Sequence, residues 1–337
     1  MKNKNKRSLT KSNLLLIITI AVFFLMYIGA IIIEGQGFLK PQTFLNILNA
    51  NAALIITSCG MSIVMITAGI DISVGGVAAL VSMCCAVYLD FHDGSVFMSI
   101  IIAVLIGLAF GVVQGFLVAY LGIQPFIVSL AGMFFARGMT TIVNTKPFNV
   151  ANEAFVGLKS TRVVVPGLGT LNKLGKYVDA YVEIGVIVAI LIVIVFFCLL
   201  RWSKLGRHFY AVGGNEQSAL MLGINVKRTK FLAHLLCGLL AGIGGYVYFL
   251  HVGSGSASHA SGMEMNAIAS SIIGGTLLTG GVGNIIGTLF GVLSLSTIQN
   301  IVSSAGFDQA WWTGITVAGM LCIFLVIQSV IMNRKKK

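Results

Sequence analysis

The sequence predicts an all-α, polytopic transmembrane helical bundle of about ten spans, with interrupted helices and with both termini in the cytoplasm. Three observations carry this reading. The chain is 57% hydrophobic and only 9% charged, whereas an ordinary soluble domain carries roughly 25% charged residues, so it cannot cover a water-facing surface. Apolar runs of about 20 residues, the length a helix needs to cross a bilayer, recur from end to end. Between them lies one long polar segment, Arg201 to Lys230, whose Arg201, Lys204, Arg207, Lys227, Arg228 and Lys230 mark it as cytoplasmic by the positive-inside rule.

Charge and cysteine usage narrow the class further. The net charge of +12 resides at the two termini and in two loops, not along an amphipathic face interleaved with aromatics. It therefore reads as membrane orientation and attraction to anionic lipid, with no nucleic acid as partner. Cys59, Cys84, Cys85, Cys198, Cys237 and Cys322 all fall in apolar runs without CxxC spacing and read as packing residues. There is no GxxxxGK[ST], HExxH or GxSxG motif, so the chain carries no catalytic residues, no metal site and no ATPase of its own. If it transports, its energy comes from an ion gradient or from another subunit.

Taken in order, residues 1–13 (MKNKNKRSLTKSN) hold five basic residues and no acidic one and form a basic cytoplasmic N-terminus. Residues 14–332 follow as one membrane domain. Leu14 to Ile33 is too long for a signal-peptide core and lacks a small-x-small cleavage site, so it is expected to remain as the first span. Asn51 to Thr67 forms the core of the second, opened by the turn at Lys40 and Pro41, and a break follows at Ala68 to Gly76. Ile72 to Leu89, Ile100 to Leu121 and Phe126 to Val143 are the next three. Parity then puts 144–180 outside, although Lys146, Lys159, Arg162, Lys173 and Lys176 argue for the inside; long loops obey the charge rule less well.

Tyr181 to Leu200 returns to the cytoplasm, where the loop 201–230 holds a short helix over Asn215 to Leu222, with Asn215 as cap and Gly223 as stop. An exposed helix there is either a docking surface or a connector. Phe231 to Leu250 crosses outward, and His251 to Gly262 is an outer connection. Met265 to Leu278 is too short to cross as a regular helix and is expected to be broken or tilted, continued by the glycine-rich turn Gly280 to Gly283. Asn284 to Ile301 and Trp311 to Gln328 complete the set, and the basic tail 333–337 lies inside.

Glycines four apart, at Gly107, Gly111 and Gly115, at Gly238 and Gly242, and at Gly283, Gly287 and Gly291, occupy one helix face and let backbones approach closely. Those in Gly69 to Gly76 and Gly274 to Gly283 coincide with interrupted helices, which at membrane depth point to a transport pathway. The polar residues near these breaks are the path candidates: Asn51, Ser58, Asp71, Ser73, Gln114, Asn266 and Ser270, with Ser271 beside them. Asp71 is either a helix cap or a pathway group; it precedes an apolar helix start, which favours the cap. Arg137 is expected to snorkel to the interface.

Three stretches, GIDISVGG (69–76), LGRHFYAVGGNEQSALMLGINVKR (205–228) and NAIASSIIGGTLLTGGVGNIIGTLFGVL (266–293), resemble in order and spacing the membrane subunits of bacterial ABC importers for monosaccharides. These are the ribose, xylose, arabinose and galactoside type within the binding-protein-dependent inner membrane components. Leu130 to Gly138 and Trp311–Trp312 are most similar to a permease of the galactofuranose importer. The resemblance implies a multi-pass permease of the bacterial inner (plasma) membrane. Its implied partners are a second permease, identical or paralogous, two ATPase subunits that bind the ATP and magnesium, and an extracytoplasmic sugar-binding protein. By similarity Gly213, Gly214, Asn215, Glu216, Ala219, Gly223 and Ile224 fall in the segment that meets the ATPase, and 144–180 and 303–310 are candidates to receive the binding protein. The rivals are a permease for nucleosides or a signalling sugar, a gradient-driven secondary transporter relying on Asp71 or Glu264, and a non-transporting scaffold.

Overall fold

The computed structural model describes residues 2–171, 177–306 and 309–333. Lys173, Lys176, the tail from 334 onward and positions 307–308 of the predicted outer segment 303–310 lie outside the described residues. The elements in chain order are α1 (Lys2–Glu34), α2 (Gln36–Leu39), α3 (Pro41–Ile66), α4 (Val74–Phe91), α5 (Val96–Ala119), α6 (Pro125–Val143), β1 (Phe148–Asn149), α7 (Glu153–Ser160), β2 (Arg162–Leu171), β3 (Tyr177–Glu183), α8 (Ile184–Trp202), α9 (Lys204–Gly214), α10 (Glu216–Met221), α11 (Val226–Val252), β4 (Ser254–Gly255), α12 (Met263–Ile273), α13 (Ile285–Ser304) and α14 (Ala310–Asn333). The bundle is helical and membrane-spanning, as the composition predicts, with two small antiparallel pairs added: β1 with β4, and β2 with β3.

Helix α11 is the centre of the packing, surrounded by α3, α4, α5 and α8. The glycine spacing explains why. A Cβ on Gly107 would stand 2.8 Å from the Gly242 Cα, and one on Gly238 would stand 2.6 Å from the Gly111 Cα. Helices α5 and α11 therefore touch backbone to backbone, which only small residues permit. On the other side Gly287 and Gly291 of α13 meet Gly274 and the Ser270 carbonyl, which seats α12 in the same way. Gly283 lies ahead of α13, and its carbonyl accepts the Tyr210 hydroxyl at 2.9 Å.

Nine helices among the described residues are long and apolar enough to span; α12, with 11 residues, is not, since it rises only about 16 Å. The chain nevertheless crosses there. At one end of the bundle His251 meets Glu183 at 2.6 Å and Phe148 pairs with Gly255, while at the opposite end the Gly281 N–H donates to the Ile66 carbonyl at 2.9 Å. The tenth crossing is thus made of the connection 253–262, α12 and the loop 274–284 together. That connection does not stay at the outer rim: Gly255 lies against Ala86 and Met83, Ser82 binds the Ser254 carbonyl and His259, and the Ala260 carbonyl reaches Gly75. It runs back along α4.

Arg137 is what holds it there. Its guanidinium donates to the His259 and Ala260 carbonyls and lies 3.9 Å from Glu264. Arg137, expected to snorkel to the interface, thus binds two carbonyls of the returning connection, more than 120 residues away in sequence, and faces Glu264 of α12.

Candidate functional site

The predicted path residues separate into two groups. Asp71, buried in the break between α3 and α4, accepts from the Ser73 N–H at 3.0 Å and from the Ser73 hydroxyl at 2.6 Å. Gln114 of α5 donates to the same hydroxyl at 2.8 Å, and its other amide atom makes no hydrogen bond among the described residues. The carboxylate closes a turn on the residue two positions on, the local pattern by which Asp organises a helix start. This geometry predicts that Asp71→Asn and Asp71→Ser retain near-parental uptake, because each keeps an acceptor for the Ser73 N–H. Asp71→Ala loses roughly 0.5–2 kcal/mol of local stability and transports less. An Asn variant as poor as Ala, at equal expression, would move the Asp71 charge into the path.

Ser58 and Ser270 belong to the second group, a buried polar seam where α3, α12 and α13 meet. Ser62 of α3 bonds Ser271 of α12 at 3.0 Å and Thr288 of α13 at 2.6 Å. The hydroxyls of Ser58, Ser270, Ser294 and Thr276 are buried and make no hydrogen bond among the described residues. That is unusual, because a hydroxyl on a buried helix ordinarily bonds back to the carbonyl one turn earlier, as Thr57, Ser271 and Thr297 do here. Leaving such a group dry and unpaired costs about 1–3 kcal/mol, and buried hydroxyls of this kind ordinarily find a polar partner. Asn266, half-buried on α12, stands one turn ahead of Ser270.

Further along α3 and α13, towards the α7 end, lies a cleft of about 640 Å³, lined by Thr43, Asn46, Asn51, Ser296, Gln299 and Asn300 among others. Asn51 lies at its mouth and spends one amide atom on the Ile47 carbonyl, at 2.8 Å. At the other end the seam stops against the loop 274–284. Sequence reasoning found Asn51, Ser58 and Ser270 but not Ser62, Thr288, Ser296, Gln299 or Asn300. The four-residue spacing of Ser58 with Ser62, and of Ser296 with Asn300, is the signal that places each pair on one face.

The predicted coupling segment sits directly beneath that loop. Ser203 caps α9 by accepting the Gly206 N–H at 2.9 Å, and Asn215 caps α10 by accepting the Ser218 N–H at 2.7 Å. Between them Gly213 presses on two backbones at once: a Cβ there would overlap the Ile66 carbonyl oxygen and stand 2.7 Å from the Gly281 nitrogen. Gly280 and Gly281, with φ of +80° and +73°, fold over Gly213 and Gly214, a conformation that favours glycine. Burial pushes the Tyr210 hydroxyl up to about 12, so it remains a proton donor to Gly283. The α9–α10 pair is in this way pinned to the end of α3, one wall of the seam, and to the loop after α12, against which the seam stops.

The outward face of α10 is open. Glu216, Leu220, Met221 and Leu222 are exposed, whereas Ala219 is buried and packs with Val212 and Val226, with Ile224 beside them. Gly223, at φ +78°, ends the element. Glu216 meets Lys230 at 2.6 Å.

The profile of the family described as branched-chain amino acid transport system / permease component matches residues 43–325. The chain belongs to that family. This permease is 36% identical to the inner membrane ABC transporter permease protein YjfF of Escherichia coli (strain K12), over 94% of this chain and 92% of that one. It is 33% identical to the fructose import permease protein FruG of Bifidobacterium longum (strain NCC 2705), over 93% and 90%. It is 30% identical to the ribose import permease protein RbsC of Escherichia coli (strain K12), over 90% and 91%. No solved structure matches it. It is a permease component and a multi-pass protein of the cell membrane.

Proposed function

We propose that this permease is the membrane subunit of an ATP-driven ABC importer for a monosaccharide, with galactofuranose as the specific candidate. The observation that carries the reading is the pinning of the exposed α9–α10 pair to the polar seam through Gly213. A gradient-driven carrier has no need of an exposed helix joined rigidly to its path, whereas a subunit moved by an external ATPase does. The polar side chains lining the seam and its cleft are hydroxyls and amides, without an ionisable group among the described lining. That supports the sugar named for FruG and RbsC over the amino acids named in the family description, because an amino acid brings two charges that would need partners.

In this mechanism the ATPase pair, holding ATP and magnesium, closes beneath α10 and shifts α9. Gly213 carries the displacement to Ile66 and Gly281, the contacts of Ser62 with Ser271 and Thr288 separate, and the sugar delivered by an extracytoplasmic binding protein passes between α3, α12 and α13. A second permease, identical or paralogous, completes the assembly. Tight binding in the seam is unnecessary because the binding protein supplies the affinity.

The reading requires the α9–α10 end to face the cytoplasm, in keeping with Arg201, Lys204, Arg207, Lys227 and Arg228 gathered there. Ser160 and Ser218 are exposed at opposite ends. A cysteine at Ser160 should react with an impermeant maleimide added to intact cells, and one at Ser218 should react only after the membrane is opened. Labelling of the Ser218 site from outside would reverse the orientation and end the import reading.

A further inference from the structure

The cleft along α3 and α13 has the chemistry of a ligand site in its own right. Its volume, about 640 Å³, is in the range of small-molecule pockets, about 300–1,000 Å³. Asn46 and Asn51 each commit one amide atom, to Gln42 and to the Ile47 carbonyl, and the other makes no hydrogen bond among the described residues. The amides of Gln299 and Asn300 make no hydrogen bond among the described residues. The Ser296 hydroxyl, at 3% exposure, is buried in the cleft wall and is also unpartnered. Each amide offers both a donor and an acceptor, as each hydroxyl of a polyol does, and no lining residue is ionisable.

We propose that this cleft is a receiving site for one uncharged polyhydroxyl molecule of monosaccharide size, held weakly by Asn46, Asn51, Ser296, Gln299 and Asn300 before the seam opens; the proposal rests on the importer reading. A binding protein that opens over this end would release its cargo against free amides instead of against bulk water. Selection at this step acts on charge, since a carboxylate, phosphate or ammonium group would be desolvated here without a counter-ion.

The test uses the assembled importer in right-side-out vesicles, with the exposed native thiol Cys322 replaced by serine and with Ser304→Cys, at the rim of the cleft, as reporter. D-galactose, D-ribose or D-fructose, whichever supports uptake, should slow labelling of that cysteine by an impermeant maleimide by a factor of 1 + [L]/Kd, about threefold at twice Kd. L-leucine at the same concentration should not slow it. Ser296→Val should abolish the protection and raise the KM for uptake, and Ser296→Thr should restore both. Intact uptake without protection by the sugar overturns the receiving site and leaves the importer reading standing. Equal protection by L-leucine overturns the selection for uncharged ligands. Uptake that follows L-leucine instead of any sugar overturns the proposed function itself.

Discussion

Gly213→Ala should reduce ATP-driven uptake to background, while Gly214→Ala, one residue away, should remain near the parent. The two glycines look equivalent in the sequence and are not equivalent in space. A methyl group on Gly213 would overlap the Ile66 carbonyl oxygen and crowd the Gly281 nitrogen, whereas one on Gly214 would meet nothing within 4 Å. The obstacle is backbone on both sides, so no rotamer change relieves it, and α9 must move away from the seam. Overpacking of this kind places roughly 1–3 kcal/mol on the joint, which is a factor of about 5 to 150 in any equilibrium it biases. Assembly with the ATPase should persist, because the exposed face of α10, proposed as its docking surface, does not include this contact. Equal uptake by the two variants would show that the joint transmits nothing.

Glu216→Arg should also abolish uptake, and its control is Lys230→Ala. Glu216 is exposed and, among the described residues, pairs with Lys230 alone, at 2.6 Å. An exposed ion pair of this kind contributes about 0–1 kcal/mol, so losing it has little effect on folding, and Lys230→Ala should transport nearly as well as the parent. Reversing the charge at Glu216 does something different if a partner reads it, since like charges facing each other at a contact cost several kcal/mol. Stimulation of the partner's ATP hydrolysis by Glu216→Arg at the parental level would remove α10 from the contact.

How much of this was legible depended on whether the cause was local. The apolar runs made the bundle readable, and the shortness of Met265 to Leu278 foretold the broken crossing at α12, because length against bilayer thickness is a local property. Helix α3 opens at Pro41, at the turn the sequence marked, and is helical through the ten residues ahead of the expected span core at Asn51. Gln42 and Asn49 look like loop residues, yet they bind the backbone of Tyr181 and Glu183, and that support is more than 130 residues distant. The β2–β3 hairpin was missed for a similar reason. Arg162 to Val165 is a short β-branched stretch that forms a strand because Ala180 to Glu183 lies opposite, and Tyr181 to Glu183 are thereby taken from the predicted start of α8. Within the candidate site the single-helix features were visible, including the Asn215 cap and the Gly223 stop. The convergence of Ser62, Ser271 and Thr288 was not, since each is an ordinary helix residue until three helices are brought together.

The most direct test of the account is uptake by the reconstituted chain with and without its ATPase. The permease purified with its partners into liposomes is predicted to accumulate sugar only when ATP and magnesium are supplied on the side of α9–α10, and to lose that uptake with Gly213→Ala at unchanged assembly. The chain alone, in the same liposomes, is predicted to accumulate none under an imposed proton or sodium gradient. Gradient-driven accumulation by the chain alone would contradict the account, because the seam would then be worked from within and the α9–α10 pair would be a connector.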